Sequence, residues 1–244
     1  MTNTGFTPQK IRALYDQFNT PITEIDCGEK CAPHNPSGKP FCCDSCHAVP
    51  TAYQEEWDYL KPNTNLWHTW QAEHCEDTPE EAAEAVAGLQ EETPDTMILI
   101  ECLGPQECQR DFRALTCRQF PFFPYVDSKG QFIGLSYYWE YEVDCWVISN
   151  LHKVTDKYRK EFIAAFEEIF DNMPEELDTY QYHSNYMRGV YNKKQRAIPL
   201  LHRNGQNYKI TTTNEKMRRI PVEKFPKYGP YKLTALMPFP DEIE

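Results

Sequence analysis

The segment from residue 102 to residue 122 reads CLGPQECQRDFRALTCRQFPF, and it decides how the rest of the chain is interpreted. Cys102, Cys108 and Cys117 follow one another with five and eight intervening residues. Glycine and proline interrupt the segment, which is typical of loops. Thiolates that converge at loop turns are suited to binding a metal, because short loop spacings bring them to one point. The segment therefore predicts a metal-binding loop.

A second group of cysteines precedes it, between residues 27 and 46. Its members have the pattern Cys27-x3-Cys31-x10-Cys42-Cys43-x2-Cys46. Only Cys43 and Cys46 have the Cys-x2-Cys spacing of a zinc knuckle, so an ordinary zinc ribbon is a poor match. Adjacent side chains such as Cys42 and Cys43 point in divergent directions in most backbone conformations. One of the two can therefore serve one ion while its neighbour serves another.

All ten cysteines lie at or before Cys145. A reducing cytosol does not hold structural disulfides, so we expect thiolates that bind metal. Cys145 is preferred as a ligand over Cys46, and also over Cys75, which is a lone cysteine in an acidic segment. The predicted metal ligands are Cys27, Cys31, Cys42, Cys43, Cys102, Cys108, Cys117 and Cys145.

Eight thiolates leave the identity of the metal open. They suffice for two zinc sites of four cysteines each, or for a single 4Fe-4S iron-sulfur cluster on four cysteines with the others buried or redox-active. Arg113 and Arg118 flank Cys117, and either arginine could offset the charge of the thiolates or donate to the sulfurs. The alternative for both arginines is a surface salt bridge.

Three stretches carry a resemblance to a known family. They are Cys27-Gly-Glu-Lys-Cys31, Pro40-Phe-Cys42-Cys43 and the segment that runs from Cys102-Leu-Gly through Cys108 to Arg113-Ala-Leu-Thr-Cys117-Arg118-Gln-Phe120-Pro121-Phe122. Together they resemble the YkgJ-type cysteine-cluster family, a zinc- or iron-chelating domain, over roughly residues 25–125. The chain departs from the compact family pattern in the spacer 32–41 and in the extra Cys46. The resemblance implies metal binding without a settled activity.

Two alternatives to a simple metal-binding protein remain. Flagellin lysine methylases have a similar cysteine pattern, which implies a metal-dependent protein-modifying enzyme. No catalytic residue and no organic cofactor site can be assigned, because dinucleotide, Walker, serine-hydrolase and zincin motifs are absent from the sequence. The other alternative is a binding module that uses a basic region, residues 186–232.

Charge is unevenly distributed along the chain, whose net charge is −12. Residues 71–102 contain acidic side chains and no Lys or Arg, whereas residues 186–232 are strongly basic. The basic region is interpreted first as a solvated face or as an intramolecular complement to the acidic stretch, and second as a site for an acidic partner. Nucleic acid is disfavoured as that partner, because the net charge would repel a polyphosphate.

Hydrophobic periodicity predicts an α+β fold that combines irregular cysteine-rich metal-binding loops with a small antiparallel sheet and several helices. Helices are predicted over about 8–20, 52–60, 78–92 and 155–170, with Asn172 and Pro174 as stop signals. Strands are predicted near 97–100, 133–141, 143–148 and 208–213, and Gly130 is expected to take a positive φ in a hairpin turn.

The chain is divided into a cysteine-cluster metal-binding domain over 1–150 and a second part over 151–244. The second part is predicted to be a helix followed by an extended, basic, proline-punctuated region, with Pro221, Pro226, Pro230, Pro238 and Pro240, that packs on the first. The N-terminus has neither a basic n-region nor an apolar h-region, and no apolar run is long enough to span a bilayer. We therefore expect no membrane partner and a cytoplasmic protein.

Overall fold

The computed structural model describes residues 6–235. Within that range the chain forms eight α-helices, several short 3-10 turns and two antiparallel sheets. This arrangement confirms the predicted α+β class. The two sheets have three and five strands, so there is more sheet than the sequence patterns predicted.

The smaller sheet belongs to the first part of the chain and has the strand order β1-β3-β2. Its strands are β1 (Thr51–Tyr53), β2 (Trp67–Thr69) and β3 (Met97–Cys102). The helices of this part are α1 (Pro8–Gln17), α2 (Gly28–Cys31), α3 (Gln54–Asn63), α4 (Pro79–Glu92) and α5 (Leu115–Gln119). The predicted helices near 8–20 and 78–92 are confirmed as α1 and α4, and the predicted strand near 97–100 as β3.

The larger sheet has the order β4-β5-β6-β7-β8, so every strand pairs with its neighbour in sequence. Its strands are β4 (Phe122–Val126), β5 (Phe132–Tyr137), β6 (Ile198–His202), β7 (Asn207–Ile210) and β8 (Met217–Arg219). Gly130 takes a φ of +78° between β4 and β5, as predicted for the hairpin turn. At Gly134 a Cβ atom would lie 2.4 Å from the Leu201 carbonyl oxygen, so β5 and β6 pair closely only because this residue is glycine.

Two long helices pack against this sheet, α7 (Asp156–Asn172) and α8 (Pro174–Lys193). The predicted helix over 155–170 is confirmed as α7. Its apolar stripe of Tyr158, Phe162, Phe166 and Ile169 is buried, as expected for a helix that packs on a core. Thr155 caps α7 by accepting a hydrogen bond from the Tyr158 amide. Pro174, interpreted as a stop signal, is instead the first residue of α8, where proline is favoured.

Two other sequence predictions are corrected. The strand predicted near 143–148 is not formed, since α6 (Trp146–Ser149) lies there after a 3-10 turn over Trp139–Tyr141. The proline-punctuated end contains 3-10 turns over Val222–Lys224 and Gly229–Ala235, so it is not simply extended. Pro238 and Pro240 lie outside the described residues.

One large core cluster contains buried side chains from both parts of the chain, including Leu14, Phe122, Phe162 and Leu200. Three arginines of the basic region form ion pairs, Arg188 with Glu215, Arg196 with Glu142 and Arg203 with Glu167. None of these three carboxylates belongs to the acidic segment 71–102. Among residues 6–235 there is no α-helix with the length and apolar character needed to cross a bilayer.

Candidate metal centre

The eight predicted ligands are free cysteines in the structure, and short elements position them. Cys27 is the N-cap residue of the one-turn helix α2, and Cys31 is the last residue of that helix. Cys42 and Cys43 lie in a 3-10 turn. Cys102 is the last residue of β3, and Cys108 follows a 3-10 turn. Cys117 lies within α5, and Cys145 is the N-cap residue of α6. Segments far apart in sequence therefore deliver the thiols to one region.

The cysteines line two adjoining cavities. The first has a volume of about 60 Å³, and Cys42, Cys43, Cys102, Cys108 and Cys117 line it. The second has a volume of about 50 Å³, and Cys27, Cys31, Cys42, Cys117 and Cys145 line it. Arg113 lines both cavities. All eight predicted ligands thus face one of two neighbouring spaces.

Most electrostatic interactions among the eight cysteines fall within two sets of four, and Cys43 of the first set also raises the pKa of Cys31 of the second. The first set, here called group A, consists of Cys43, Cys102, Cys108 and Cys117. Burial raises the pKa of Cys117 to about 12, Arg113 opposes this rise, and the other three sulfurs of group A add to it. Burial also raises the pKa of Cys102, where Cys43 and Cys108 again contribute.

The second set, here called group B, consists of Cys27, Cys31, Cys42 and Cys145. Burial raises the pKa of Cys27 to about 11, and the nearby Cys31 adds to the rise. The pKa of Cys145 is raised mainly by burial and further by Cys27 and Cys31. Thiols with such raised pKa values stay protonated at neutral pH unless a cation is present to stabilise the thiolates.

The vicinal pair Cys42 and Cys43 joins the two groups. A hydrogen bond from the Cys42 thiol lowers the pKa of Cys43 to about 7, and the same contact raises the pKa of Cys42 well above its usual value. Cys43 interacts with group A, whereas Cys42 interacts with Cys27 and Cys145 of group B. Because the two thiols are hydrogen-bonded to each other and line the same cavity, the divergence expected for adjacent side chains does not occur at this pair.

The two arginines beside Cys117 have different surroundings. Burial works to lower the pKa of Arg113, but Cys117, Cys108, Cys42 and Cys43 outweigh it and raise the pKa. Arg113 also donates from Nη2 to the Cys117 carbonyl oxygen at 3.1 Å. Arg118 donates instead to the carbonyl oxygens of Phe18 and Asp111, among others, and its guanidinium lies 4.2 Å from the centre of the Tyr15 ring. Arg113 is therefore the positive charge beside the thiols, while Arg118 ties α1 to the loop before α5.

The size of the cavities and their donor atoms limit what they can hold. Pockets for organic ligands usually have volumes of about 300 to 1,000 Å³, far larger than either cavity. A bare ion or a compact inorganic cluster fits such a space, and thiolate sulfur is the preferred donor for zinc and for iron-sulfur clusters. The residues present therefore suit either of the two metals predicted from the sequence.

The spacing of the sulfurs can be compared with the spacing that a zinc site requires. A tetrahedral zinc ion with bonds of about 2.3 Å holds its sulfurs about 3.8 Å apart. Over residues 6–235, the one group of three or more His, Cys, Asp or Glu with all ligand atoms within 4.8 Å of one another is Cys46, His74 and Cys75. The thiols of group A and group B are therefore spread more widely than zinc requires.

Cys46 and Cys75 form a disulfide, so the expectation that disulfides are absent is wrong for this pair. Ala72, with a φ of +58°, begins a turn in which its carbonyl oxygen accepts the Cys75 amide at 2.9 Å. This turn brings Cys75 to Cys46, which lies far away in sequence. His74 Nε2 lies 2.9 Å from the Ser45 hydroxyl in the same place.

Cys46, His74 and Cys75 form a Cys-His-Cys group whose geometry is compatible with metal binding. The disulfide occupies both sulfurs, so this group offers thiolates to a metal only after reduction. His47, the residue after Cys46, lies 3.1 Å from an Asp144 carboxylate oxygen through its Nε2 atom. No sequence pattern pointed to His74, because its proximity to Cys46 arises only from the fold.

Comparison of the chain with family models, with curated proteins and with solved structures found no match. The resemblance to the YkgJ-type family therefore stays a prediction from the cysteine pattern.

Proposed function

We propose that this chain is a metal-binding protein with two thiolate-ligated centres side by side, one in group A and one in group B. The observation that carries the proposal is that eight free cysteines line two adjoining small cavities, which Cys42 and Cys117 share. Thiolate sulfur is the donor that zinc and iron-sulfur clusters prefer, and a bound cation is what would stabilise several thiolates so close together.

The wide spacing of the sulfurs favours iron-sulfur clusters over zinc. In a cluster, iron and sulfide atoms lie between the cysteine ligands, so the thiolates need not approach one another as they do around one ion. Such a cluster supplies one-electron chemistry when bound, whereas zinc would supply a structural tie. With either metal, Arg113 offsets the negative charge of the thiolates from a buried position between the two groups.

Aromatic side chains support a protected centre. Phe120 and Trp146 line the cavity of group B, and Trp67 lines the cavity of group A. Trp67 is held in place because its indole N–H donates to the Phe112 carbonyl oxygen at 2.7 Å. Apolar walls of this kind restrict the access of water and oxidants to metal-bound sulfur.

Membership in the YkgJ-type family is part of the proposal. The cysteine pattern and the Arg-x3-Cys-Arg-x-Phe-Pro segment support it. All the cysteines that carry the resemblance belong to group A or group B. The extra Cys46, by which the chain departs from the family pattern, lies outside both groups in a disulfide.

Anaerobic purification followed by iron, sulfide and zinc analysis tests the proposal. We expect a brown protein with iron and sulfide in two centres. Colourless protein with stoichiometric zinc would support the two centres but show that the metal is zinc. Folded protein free of metal would refute the proposal.

Single substitutions test the division into groups. Cys117→Ser removes a ligand of group A and Cys145→Ser one of group B, so each should lose about half of the metal. Cys75→Ser is the matched control, because Cys75 lies outside both groups, and it should keep the full content. Equal metal loss in all three variants would contradict the division.

A further inference from the structure

A third cavity, separate from those that the cysteines line, lies between β1, α3, α5, α7 and α8. Its volume is about 350 Å³, which is within the range of small-molecule sites. Three carboxylates line it, those of Glu56, Glu92 and Glu176. In the part of the chain that the structure describes, no Lys or Arg lines this space. The cavity is therefore acidic.

The deepest carboxylate has an oxygen without a partner. Glu56 is only 1% exposed, and its Oε1 atom accepts hydrogen bonds from the Tyr15 hydroxyl at 2.5 Å and the Leu115 amide at 2.7 Å. Its Oε2 atom is buried with no hydrogen-bond partner. Buried polar atoms in folded proteins nearly always have a partner, so this oxygen requires an explanation.

A second polar atom of the lining is in the same situation. His183 Nε2 is buried without a hydrogen-bond partner, and the imidazole lies against the rings of Phe123 and Trp139. Burial lowers the pKa of His183 to about 4, so the ring is neutral at physiological pH and brings no positive charge to the cavity. An incoming group that can donate hydrogen bonds would satisfy both atoms.

Arg118 acts on Glu56 and opposes the rise in its pKa, whereas no ion pair involves Glu176 among the described residues. Glu176 is buried, and its Oε2 atom accepts a hydrogen bond from the Tyr53 hydroxyl at 2.6 Å. Burial raises the pKa of Glu56 to about 7 and also raises that of Glu176. A positive charge placed between these carboxylates would favour their ionised forms.

We infer that this cavity binds a small organic cation through a primary ammonium group. An ammonium has three N–H donors and no acceptor, so it can donate to the unpartnered Glu56 Oε2, while the Glu176 carboxylate adds negative charge to the same cavity. The carbon stem of the ligand packs on Phe166, Ile169 and Tyr138, which form the apolar part of the wall. This inference does not depend on the proposed metal centres.

The site also lies next to the cysteines. A smaller cavity of about 200 Å³ shares Thr116, Gln119 and Tyr138 with the ammonium site, and Cys42 and Cys117 line its other side. Residues of the short helix α5 therefore face both spaces.

Isothermal titration of the full chain with simple probes tests the inference. We expect n-butylammonium to bind at least about tenfold more tightly than n-butanol, which has the same shape but no charge, and butyrate not to bind. Tetramethylammonium has the charge without N–H donors and should bind more weakly than n-butylammonium. Equal binding of n-butanol and n-butylammonium, or no binding of n-butylammonium at millimolar concentration, would overturn the inference.

Variants test the residues that hold the charge. Glu56→Gln and Glu176→Gln should each weaken n-butylammonium binding about tenfold or more, because each removes one negative charge from the cavity lining. Glu175→Gln is the matched control, since Glu175 is the exposed neighbour on the same helix, and it should bind as the original chain does. Unchanged affinity in both folded test variants would overturn the assignment. If Glu56→Gln fails to fold, Glu176→Gln and the comparison of probes decide.

Discussion

The cysteine-bearing segments and the C-terminal part of the chain are stabilised in different ways. α7 and α8 have 17 and 20 residues and pack against a five-stranded sheet. The elements that carry the eight cysteines are much shorter, for example α2 with four residues and α5 with five. Helices of one turn are not stable by themselves, because nucleation is unfavourable and few hydrogen bonds follow it.

The difference shows where the chain relies on burial and where it relies on ligands. Tyr158, Phe162 and Phe166 of α7 are at most 2% exposed and belong to the main core. By contrast, Cys27, Cys43 and Cys108 are partly or fully exposed, and short elements carry them. In the proposed function, metal replaces the apolar core in these loops.

Removal of the metal should have the largest effect on stability, and it should affect only the cysteine-bearing segments. Structural zinc sites contribute about 10 kcal/mol or more to folding at pH 7, and that contribution is lost on chelation. We expect amide hydrogen exchange to become fast in residues 27–47 and 102–119, while α7 and α8 stay protected. Exchange measured by mass spectrometry before and after anaerobic chelation would show this pattern. If α7 lost as much protection from hydrogen exchange as the cysteine-bearing segments, the two parts would not be stabilised independently.

A core substitution in α7 should instead destabilise the C-terminal part of the chain. Phe162 is completely buried, so Phe162→Ala leaves a cavity and should lower the free energy of unfolding by about 3–5 kcal/mol. Denaturant unfolding measures the loss, and metal content per folded molecule should be unchanged. Lys160→Ala, on the exposed face of the same helix, is the control and should change stability little. Metal loss in Phe162→Ala that exceeds the loss of folded protein would argue against independent stabilisation.

Glu56 lies between the two parts, and its protonation should produce the smallest of the three effects. Its folded pKa is raised from 4.5 to about 7, so the folded state retains a proton that the unfolded state has already released. The protonated Glu56 carboxyl therefore contributes its full stabilisation below about pH 4.5. As pH rises to about 7 this contribution is lost, and the free energy of unfolding falls by at most about 3 kcal/mol. Glu56→Gln should remove this loss.

The measurement is the denaturant midpoint of both proteins from pH 5 to pH 7.5. Burial lowers the pKa of His183 to about 4, so this residue makes both proteins more stable as pH rises. Only the difference in denaturant midpoint between the original chain and Glu56→Gln therefore reports on Glu56. Parallel pH profiles for the original chain and the variant would contradict the raised pKa of Glu56.

Regular elements could be predicted where a local signal was strong. α7 has both an apolar stripe and Thr155 as a cap, and α4 has Thr78 as a cap with Glu81 three residues later. α8 was missed because Pro174 resembles a stop signal, and because its buried face includes Glu176, Ser184 and Arg188 instead of a simple apolar stripe. The strand predicted near Cys145 was wrong because a short apolar run does not distinguish a strand from one turn of helix.

The candidate metal ligands followed from cysteine clustering, but their partners did not. Nothing in the spacing indicated that Cys42 would face Cys145 or that Cys46 would meet Cys75. The acidic cavity was equally hidden, because Glu56 comes from α3 whereas Glu176 and His183 come from α8. Such contacts depend on tertiary packing, which brings together residues that have no local relation in the sequence.

The peptide bond between Cys42 and Cys43 gives the two proposed centres a common backbone. The metal that fills the first group fixes the conformation of residues 42 and 43, and thereby part of the second group, so less chain entropy remains to be lost when the second metal binds. Assembly should therefore be cooperative. Native mass spectrometry during stepwise metal loading should show empty and fully loaded protein with little half-loaded protein, and a dominant half-loaded species would argue against this coupling.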